Sequence, residues 1–321
     1  MLVIHLTNDS SVIAKGNSTG LGIRLTEVSV SEANDPRALL YVIDRMAPGS
    51  SITRVVEISN DTPIAQVVAC YDSAATIAQG AFVGADGSTA NELTSWISID
   101  HGTLKLAKSQ RARVRVTFNV PSDTSPGERY GVIWAEIRSS NSGSGIVSIN
   151  RVGIRVYLSV GAGGAPPSSF SIKAILAKRN TDGSPELDAT VTNTGERALD
   201  ISGELRLSNG PAGLSAGPFA TDLGTTIAIA ESALIRIRMP RELPDGPWDS
   251  ELTLRSGLVS NAVSARITFP PVGSVRPVVI QSISPWAVLA LALAGALTLF
   301  LIANGITRRR LRANRRGSKK H

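Results

Sequence analysis

The sequence predicts an all-β fold, with two tandem Ig-like β-sandwich domains followed by a single C-terminal transmembrane α-helix. Three observations carry this prediction. Apolar and polar residues alternate over short runs, a Gly/Pro-rich segment divides the chain, and an uncharged apolar run lies near the C-terminus. Before that run, no window shows the 3.6-residue period of an amphipathic helix.

The strand signal is clearest in "RARVRVTFNVP" (111–121), where Val114, Val116, Phe118 and Val120 alternate with polar residues. This period of two predicts a strand with one face in water and one on a core. The run "NRVGIRVYLSV" (150–160) repeats the pattern. In contrast, "YGVIWAEI" (130–137) is apolar on both faces, which predicts a central strand with Trp134 in the core.

The Gly/Pro-rich segment "GAGGAPPSS" predicts a linker between two domains of similar type. Two pairs of segments support this repeat: "VEISNDT" resembles "ATVTNTG", which matches Asn60 with Asn193, and the regions around Pro121 and Pro240 also correspond. We therefore predict an N-terminal extension (1–19), a first sandwich (20–160), a linker (161–169), a second sandwich (170–270), a stalk (271–284), a transmembrane helix (285–304) and a basic cytoplasmic tail (305–321).

The C-terminal apolar run has 18 uncharged residues from Trp286 to Ala303. As a helix it would span about 27 Å, close to the hydrocarbon thickness of a bilayer. A buried core helix is the alternative interpretation. The residues expected to anchor the helix in the membrane are Trp286, Leu289, Leu293, Leu297, Phe300 and Ile302.

Cations that follow the apolar run predict its orientation. The chain has 33 Lys and Arg against 26 Asp and Glu, and eight of those cations follow the run, so the remainder is close to neutral. This distribution gives no basic face for nucleic acid. Cytoplasmic retention of the tail predicts a single-pass protein of the cell membrane with extracellular N-terminal domains. The topology-determining residues are Arg308, Arg309, Arg310, Arg312, Arg315 and Arg316.

The N-terminus and the single cysteine bear on export. Residues 1–19 lack a positive segment followed by a long apolar run, so we expect a signal peptide to be missing. Cys70 has no second cysteine to pair with, and its apolar surroundings favour a buried thiol over a reactive one. The composition therefore disfavours a disulfide-stapled domain.

Residues with catalytic or metal-binding patterns are scarce. Three histidines are scattered, and no nucleophile, metal or phosphate-binding motif occurs. We expect neither an enzyme nor a cofactor nor a metal site. The candidate contacts to a wall polymer or partner are Trp96 and a row of three arginines, Arg111, Arg113 and Arg115. The alternative interpretation of this row is a solvated strand face.

Several segments together resemble a known family: "GIRLTEVSV", "DPRALLYVIDRMAPGSSITRVVEISN", "NELTSWISI", "VPSDTSPGERYGVIWAEI" and "INRVGIRVYLSVG". Over residues 20–160 they resemble the first ectodomain of the WxL-interacting proteins, in the form found in high-GC Gram-positive bacteria. The chain contains no W-x-L, as suits an interactor. The resemblance implies that the first domain binds peptidoglycan and the second a surface protein, and it transfers no binding residues.

The function predicted on these grounds is a membrane-anchored bacterial surface protein. Its Ig-like domains would bind peptidoglycan, a surface protein or both without covalent chemistry, and the bilayer would hold it in place. The alternative is a structural stalk or an assembly or chaperone-like envelope protein with no wall ligand. In the first case, exposed strand edges or end loops are the expected binding surfaces, and one concrete mode is an edge that accepts a strand from a partner.

Overall fold

The computed structural model describes residues 20–140, 147–222, 224–272 and 274–278. In this part of the chain, strands and four short 3₁₀ turns form the regular structure, and no α-helix occurs. The all-β part of the predicted fold is therefore confirmed. The 3₁₀ turns are Val30–Glu32, Pro36–Leu39, Thr94–Trp96 and Pro211–Gly213.

The first half of the chain forms a β-sandwich. Its strands are β1 (Leu21–Leu25), β2 (Val42–Met46), β3 (Ser51–Asn60), β4 (Gln66–Ala78), β5 (Ala81–Gly84), β6 (Ile97–Ile99), β7 (Thr103–Leu106), β8 (Arg111–Asn119), β9 (Gly127–Ser140) and β10 (Val147–Val160). One sheet has the order β1-β3-β8-β6, and the facing strands have the order β5-β4-β9-β10-β2, with β7 on β4.

The strand patterns read from the sequence explain this packing. In β8, Val114, Val116 and Phe118 are fully buried in the core between the sheets, and the intervening arginines are exposed. Strand β9 is central, as predicted, because β4 and β10 flank it. The prediction for Trp134 was wrong: it lies outside the core cluster, half-buried on the outer face of β9.

The second half forms another pair of facing sheets. Its strands are β11 (Phe170–Arg179), β12 (Pro185–Asn193), β13 (Leu199–Ser208), β14 (Ala216–Ala220), β15 (Thr225–Ile227), β16 (Ser232–Arg238), β17 (Trp248–Ser256), β18 (Val259–Ile267) and β19 (Val275–Val278). One sheet has the order β16-β12-β11-β19, and the other has β18-β17-β13-β15 with β14 on β13.

Two hydrophobic cores lie on either side of the Gly/Pro segment 161–169. The first contains residues from Leu21 to Val160, and the second contains residues from Phe170 to Phe269 around the fully buried Trp248. A backbone pairing between Thr225 of β15 and Ala81 of β5 joins the two halves. The domain boundaries themselves stay a prediction.

The predicted transmembrane helix lies outside the described residues, as do the N-terminal extension, the basic tail and half of the stalk. Within the described ranges, no helix is long and apolar enough to cross a membrane. We therefore correct the localisation prediction: nothing that the structure describes supports a single-pass membrane protein, and that localisation is withdrawn.

Candidate partner-binding site

Strand β10 is paired along its full length on one side and over a short stretch on the other. From Val147 to Val160 it pairs antiparallel with β9. On its second side, Val156–Val160 pair parallel with β2. On this second side, no strand of the described chain pairs with residues 148–155. This segment, which we call the β10 edge, presents backbone N–H and C=O groups to any strand that approaches it.

The two faces of the β10 edge differ in chemistry. Toward the core, Ile154 is buried and Val152 packs against the core cluster while still partly exposed. On the outer face, Arg151 and Arg155 flank Gly153. A strand added here would place alternate residues beside apolar groups and the others beside two guanidinium groups.

The side chain of Arg151 is held in place on the outer face. Its guanidinium lies 4.2 Å from the centroid of the Trp134 ring, and its Nη2 donates to the Asp86 carboxylate at 2.7 Å. The indole itself lies over Gly153, where an added Cβ would come within 2.5 Å of the ring. The glycine is therefore required by this close approach, and the stacking orients one cation of the edge.

A buried carboxylate supports the same surface. The Glu136 side chain is 3 % exposed and accepts hydrogen bonds from the Tyr71 hydroxyl and the Arg138 guanidinium. Burial opposes its charge, but these hydrogen bonds outweigh that effect and lower the pKa of Glu136. The outer face at this end of the sheet is thus an ordered array of charged groups.

At its other end, the outer face of the same sheet is covered by the second half of the chain. Tyr157 is buried in an aromatic cluster, with its ring centroid 5.2 Å from that of Phe82, 5.8 Å from Tyr41 and 5.9 Å from Tyr130. Ala198 of the second half packs into this cluster. This contact explains why Tyr130, on the outer face of β9, is an apolar ring.

Asp200 is the centre of the polar contacts between the halves. Its carboxylate accepts from Arg155 Nη1 at 3.0 Å, from the Tyr157 hydroxyl at 3.0 Å and from Arg37 Nη1 at 3.4 Å. Thr226 Oγ1 donates to it at 2.8 Å. One carboxylate therefore joins two cations of the first half to strands β13 and β15 of the second.

Two more contacts hold the segment that precedes Asp200. The buried Arg197 pairs with the buried Glu32 at 3.3 Å. The Ala198 N–H donates to the Glu128 carboxylate at 2.6 Å, and the Tyr130 hydroxyl donates to the same group at 2.9 Å. Since charged groups out of water must be paired, these contacts favour one arrangement of the two halves.

Glu128 gives this interface a pH dependence. Burial raises the pKa of its carboxyl group, and the Ala198 N–H opposes that effect. The folded chain then binds the proton more readily than the unfolded chain, so its contribution to stability is present below the ordinary pKa of glutamate and is lost as the pH rises through the raised value.

We expect Glu128→Gln, which keeps an acceptor oxygen but cannot ionise, to remove this loss of stability. The measurement is the urea midpoint of unfolding between about pH 4 and 7 for both proteins. A slope of midpoint against pH that is the same in both proteins would exclude Glu128 as its source.

The structure separates the predicted contact residues. Arg111, Arg113 and Arg115 are exposed on the sheet opposite the β10 edge, and acidic residues offset their charge: Arg111 pairs with Glu57 at 3.5 Å. Arg115 lies 3.7 Å from Asp100. Trp96 is 5 % exposed and packs in the core. The contact roles of these four residues stay predictions. Binding through a strand edge also stays a prediction, and the sequence analysis did not single out β10.

Comparisons with known proteins find similarity of fold at low identity. The E. coli chaperone DraB is 13 % identical, with 78 % of this chain and 99 % of that chain covered and a TM-score of 0.39. The class 5 fimbriae chaperone CfaA is 8 % identical, with 78 % of this chain and 100 % of that chain covered and a TM-score of 0.34. A structure of the Salmonella enterica SafA pilin in complex with the SafB chaperone is 10 % identical, with 77 % of this chain and 96 % of that chain covered and a TM-score of 0.42. At these values the similarity assigns neither a family nor a function.

The resemblance to WxL-interacting proteins is corrected by these comparisons. No family model matches the chain, and no curated protein matches it. The similar solved structures named above are fimbrial chaperones. The segments that carried the resemblance are strand and turn patterns, which unrelated β-sandwiches share. The peptidoglycan binding and cell-wall role expected from it are withdrawn, as is the membrane anchoring predicted from the C-terminal apolar run.

Proposed function

We propose that the chain is an assembly or chaperone-like protein of two Ig-like domains, which binds an extended segment of a protein partner. The observation that carries the proposal is the β10 edge, where residues 148–155 present an unpaired side while β9 holds the other. An extended segment added there would complete the sheet by backbone hydrogen bonds.

The chemistry of the edge defines the segment that fits it. Side chains that point toward the core would cover Val152 and Ile154, so apolar residues are favoured at alternate positions. Side chains on the outer face would lie beside Arg151 and Arg155, which favours acidic or neutral polar residues and disfavours cations. The partner segment is therefore an amphipathic strand with an acidic face.

This proposal predicts selective binding of alternating peptides by the full-length chain. The probes are nine-residue peptides in which valine alternates with aspartate or with lysine, and a scrambled peptide of the first composition. We expect the aspartate peptide to bind about tenfold more tightly than the lysine peptide, because two cross-strand charge pairs change sign. Fluorescence anisotropy of labelled peptides measures the affinities.

A matched pair of proline substitutions tests the location. Successive residues of a strand direct their N–H groups to opposite sides, so Asn150→Pro and Arg151→Pro block different sides of β10. The variant that keeps the thermal unfolding temperature of the parent chain should lose peptide binding. If that variant binds the aspartate peptide normally, or if the scrambled peptide binds equally well, the β10 edge is not the site.

A further inference from the structure

Strand β18 is a second long edge, on the other half of the chain. It pairs antiparallel with β17 from Val259 to Ile267 and ends its sheet. Among the described residues, no strand pairs with its second side. Alternate residues therefore direct their backbone groups away from β17, along a regular strand that contains no bulge in its pairing with β17. Near the start of the strand, the Asn261 side chain donates to the Phe170 carbonyl of β11 at 2.6 Å.

The composition of β18 differs from that of the two edges of the facing sheet, β16 and β19. From Val259 to Ala265 it has no charged residue and no proline, and its one cation is Arg266 near the end. By comparison, β16 carries Arg236 and Arg238, and β19 carries Pro277. Charges and prolines are what prevent edge strands from pairing with other chains. Along most of its length β18 has neither.

The charges of β18 permit antiparallel pairing with a second copy of the chain, whereas those of the β10 edge oppose it. A two-fold axis at Val263, the middle of the strand, would place Ala262 opposite Ser264 of the other copy and Ser260 opposite Arg266. No like charges meet. The same operation on the β10 edge, about Gly153, would place Arg151 opposite Arg155 and bring cations together.

We propose that the chain forms a two-fold symmetric dimer through antiparallel pairing of β18 with β18 of a second copy. Such an interface is self-complementary, as closed two-fold dimers require. Val263, partly exposed at the margin of the second core, would contact Val263 of the other copy. Leu258, directly before the strand, is 72 % exposed.

The register of this pairing can be tested with charges at two exposed positions. In Ala262→Lys/Ser264→Lys, each new lysine would face a lysine of the other copy across the axis. In Ala262→Lys/Ser264→Glu, each lysine would face a glutamate instead. Both positions are exposed, so both variants should fold as the parent chain does.

Sedimentation equilibrium of the full-length chain measures the dimer dissociation constant. A non-ionic detergent is included because residues 286–303 are apolar, and this segment is identical in all three proteins. We expect the double-lysine variant to dimerise at least about tenfold more weakly than the parent and the lysine–glutamate variant to recover parental affinity. Equal dissociation constants in the two variants, or a parent chain that stays monomeric at about 100 µM, would overturn the proposal.

Discussion

Replacing Asp200 by alanine is expected to lower the free energy of unfolding by about 3 kcal/mol, the low end of the cost of removing one partner from a buried ion pair. The Asp200 side chain is 16 % exposed, and it holds Arg155 and Arg37 at 3.0 and 3.4 Å. Without it, two guanidinium groups and the buried Tyr157 hydroxyl lose a common acceptor.

The surroundings of the two arginines limit the loss. Arg37 keeps its ion pair with Asp35 at 3.3 Å. Arg155 keeps its contacts with the rings of Phe82 and Tyr41, at 4.9 and 5.2 Å from the ring centroids. These contacts retain part of the interaction, so we do not expect the higher cost of leaving a charge with no partner at all.

Urea unfolding followed by tryptophan fluorescence measures the effect. Trp96 and Trp134 report on the first half and Trp248 on the second. Because the substitution weakens the interface, we also expect the two halves to unfold in separate transitions. Asp200→Asn is the matched control, because it keeps an acceptor oxygen and removes the charge. A loss below about 1 kcal/mol for Asp200→Ala would show that the interface does not depend on this carboxylate.

The sequence predicted the elements whose signal is local. Alternation in β8 placed Val114, Val116 and Phe118 on the core, where they are fully buried. The run of apolar residues in β9 predicted a central strand. Trp134 was misplaced because apolar residues on both faces of a strand do not tell which face meets the core, and here the outer face carries the indole against Arg151.

The contacts between the two halves leave no pattern in the sequence from which they could be predicted. Asp200 and its partners Arg37 and Arg155 are polar residues far apart in the chain, and each one resembles an ordinary solvated residue in its own segment. The β10 edge was also out of reach, since it depends on where β2 begins to pair with β10, at Val156. Long-range register of this kind is set by tertiary packing and not by local propensity.

The repeat that the sequence showed has a structural explanation in two buried asparagines. Asn60, at the end of β3, is fully buried, and its Nδ2 donates to the carbonyls of Ile64 at 2.8 Å and Leu106 at 3.0 Å. Its Oδ1 accepts from the Thr62 N–H at 3.1 Å. The side chain thus closes a turn after β3 and ties it to the segment after β7.

Asn193 has the same role at the end of β12. It is 1 % exposed, and its Nδ2 donates to the carbonyls of Arg197 at 2.8 Å and Ile227 at 3.2 Å. Its Oδ1 accepts from the Gly195 N–H at 2.9 Å. The matched asparagines therefore support the architecture of each sandwich and do not mark a ligand site.

We expect Asn60→Ala to cost about 3 kcal/mol and Asn193→Ala about 2 kcal/mol, because each leaves buried carbonyl groups without a donor. Asn60→Asp should be at least as damaging, since a carboxylate oxygen would face the same carbonyls. Urea unfolding of the full-length variants measures these losses.

Thr62→Val is the matched control for Asn60. It removes a hydroxyl that donates to the same Oδ1 at 2.6 Å but leaves the Nδ2 contacts in place. We expect it to cost about 1 kcal/mol, the usual net contribution of one hydrogen bond. If Asn60→Ala cost no more than Thr62→Val, the carbonyl contacts of Nδ2 would not be what stabilises the turn. The repeat in the sequence would then need an explanation other than the turns that these two asparagine side chains stabilise.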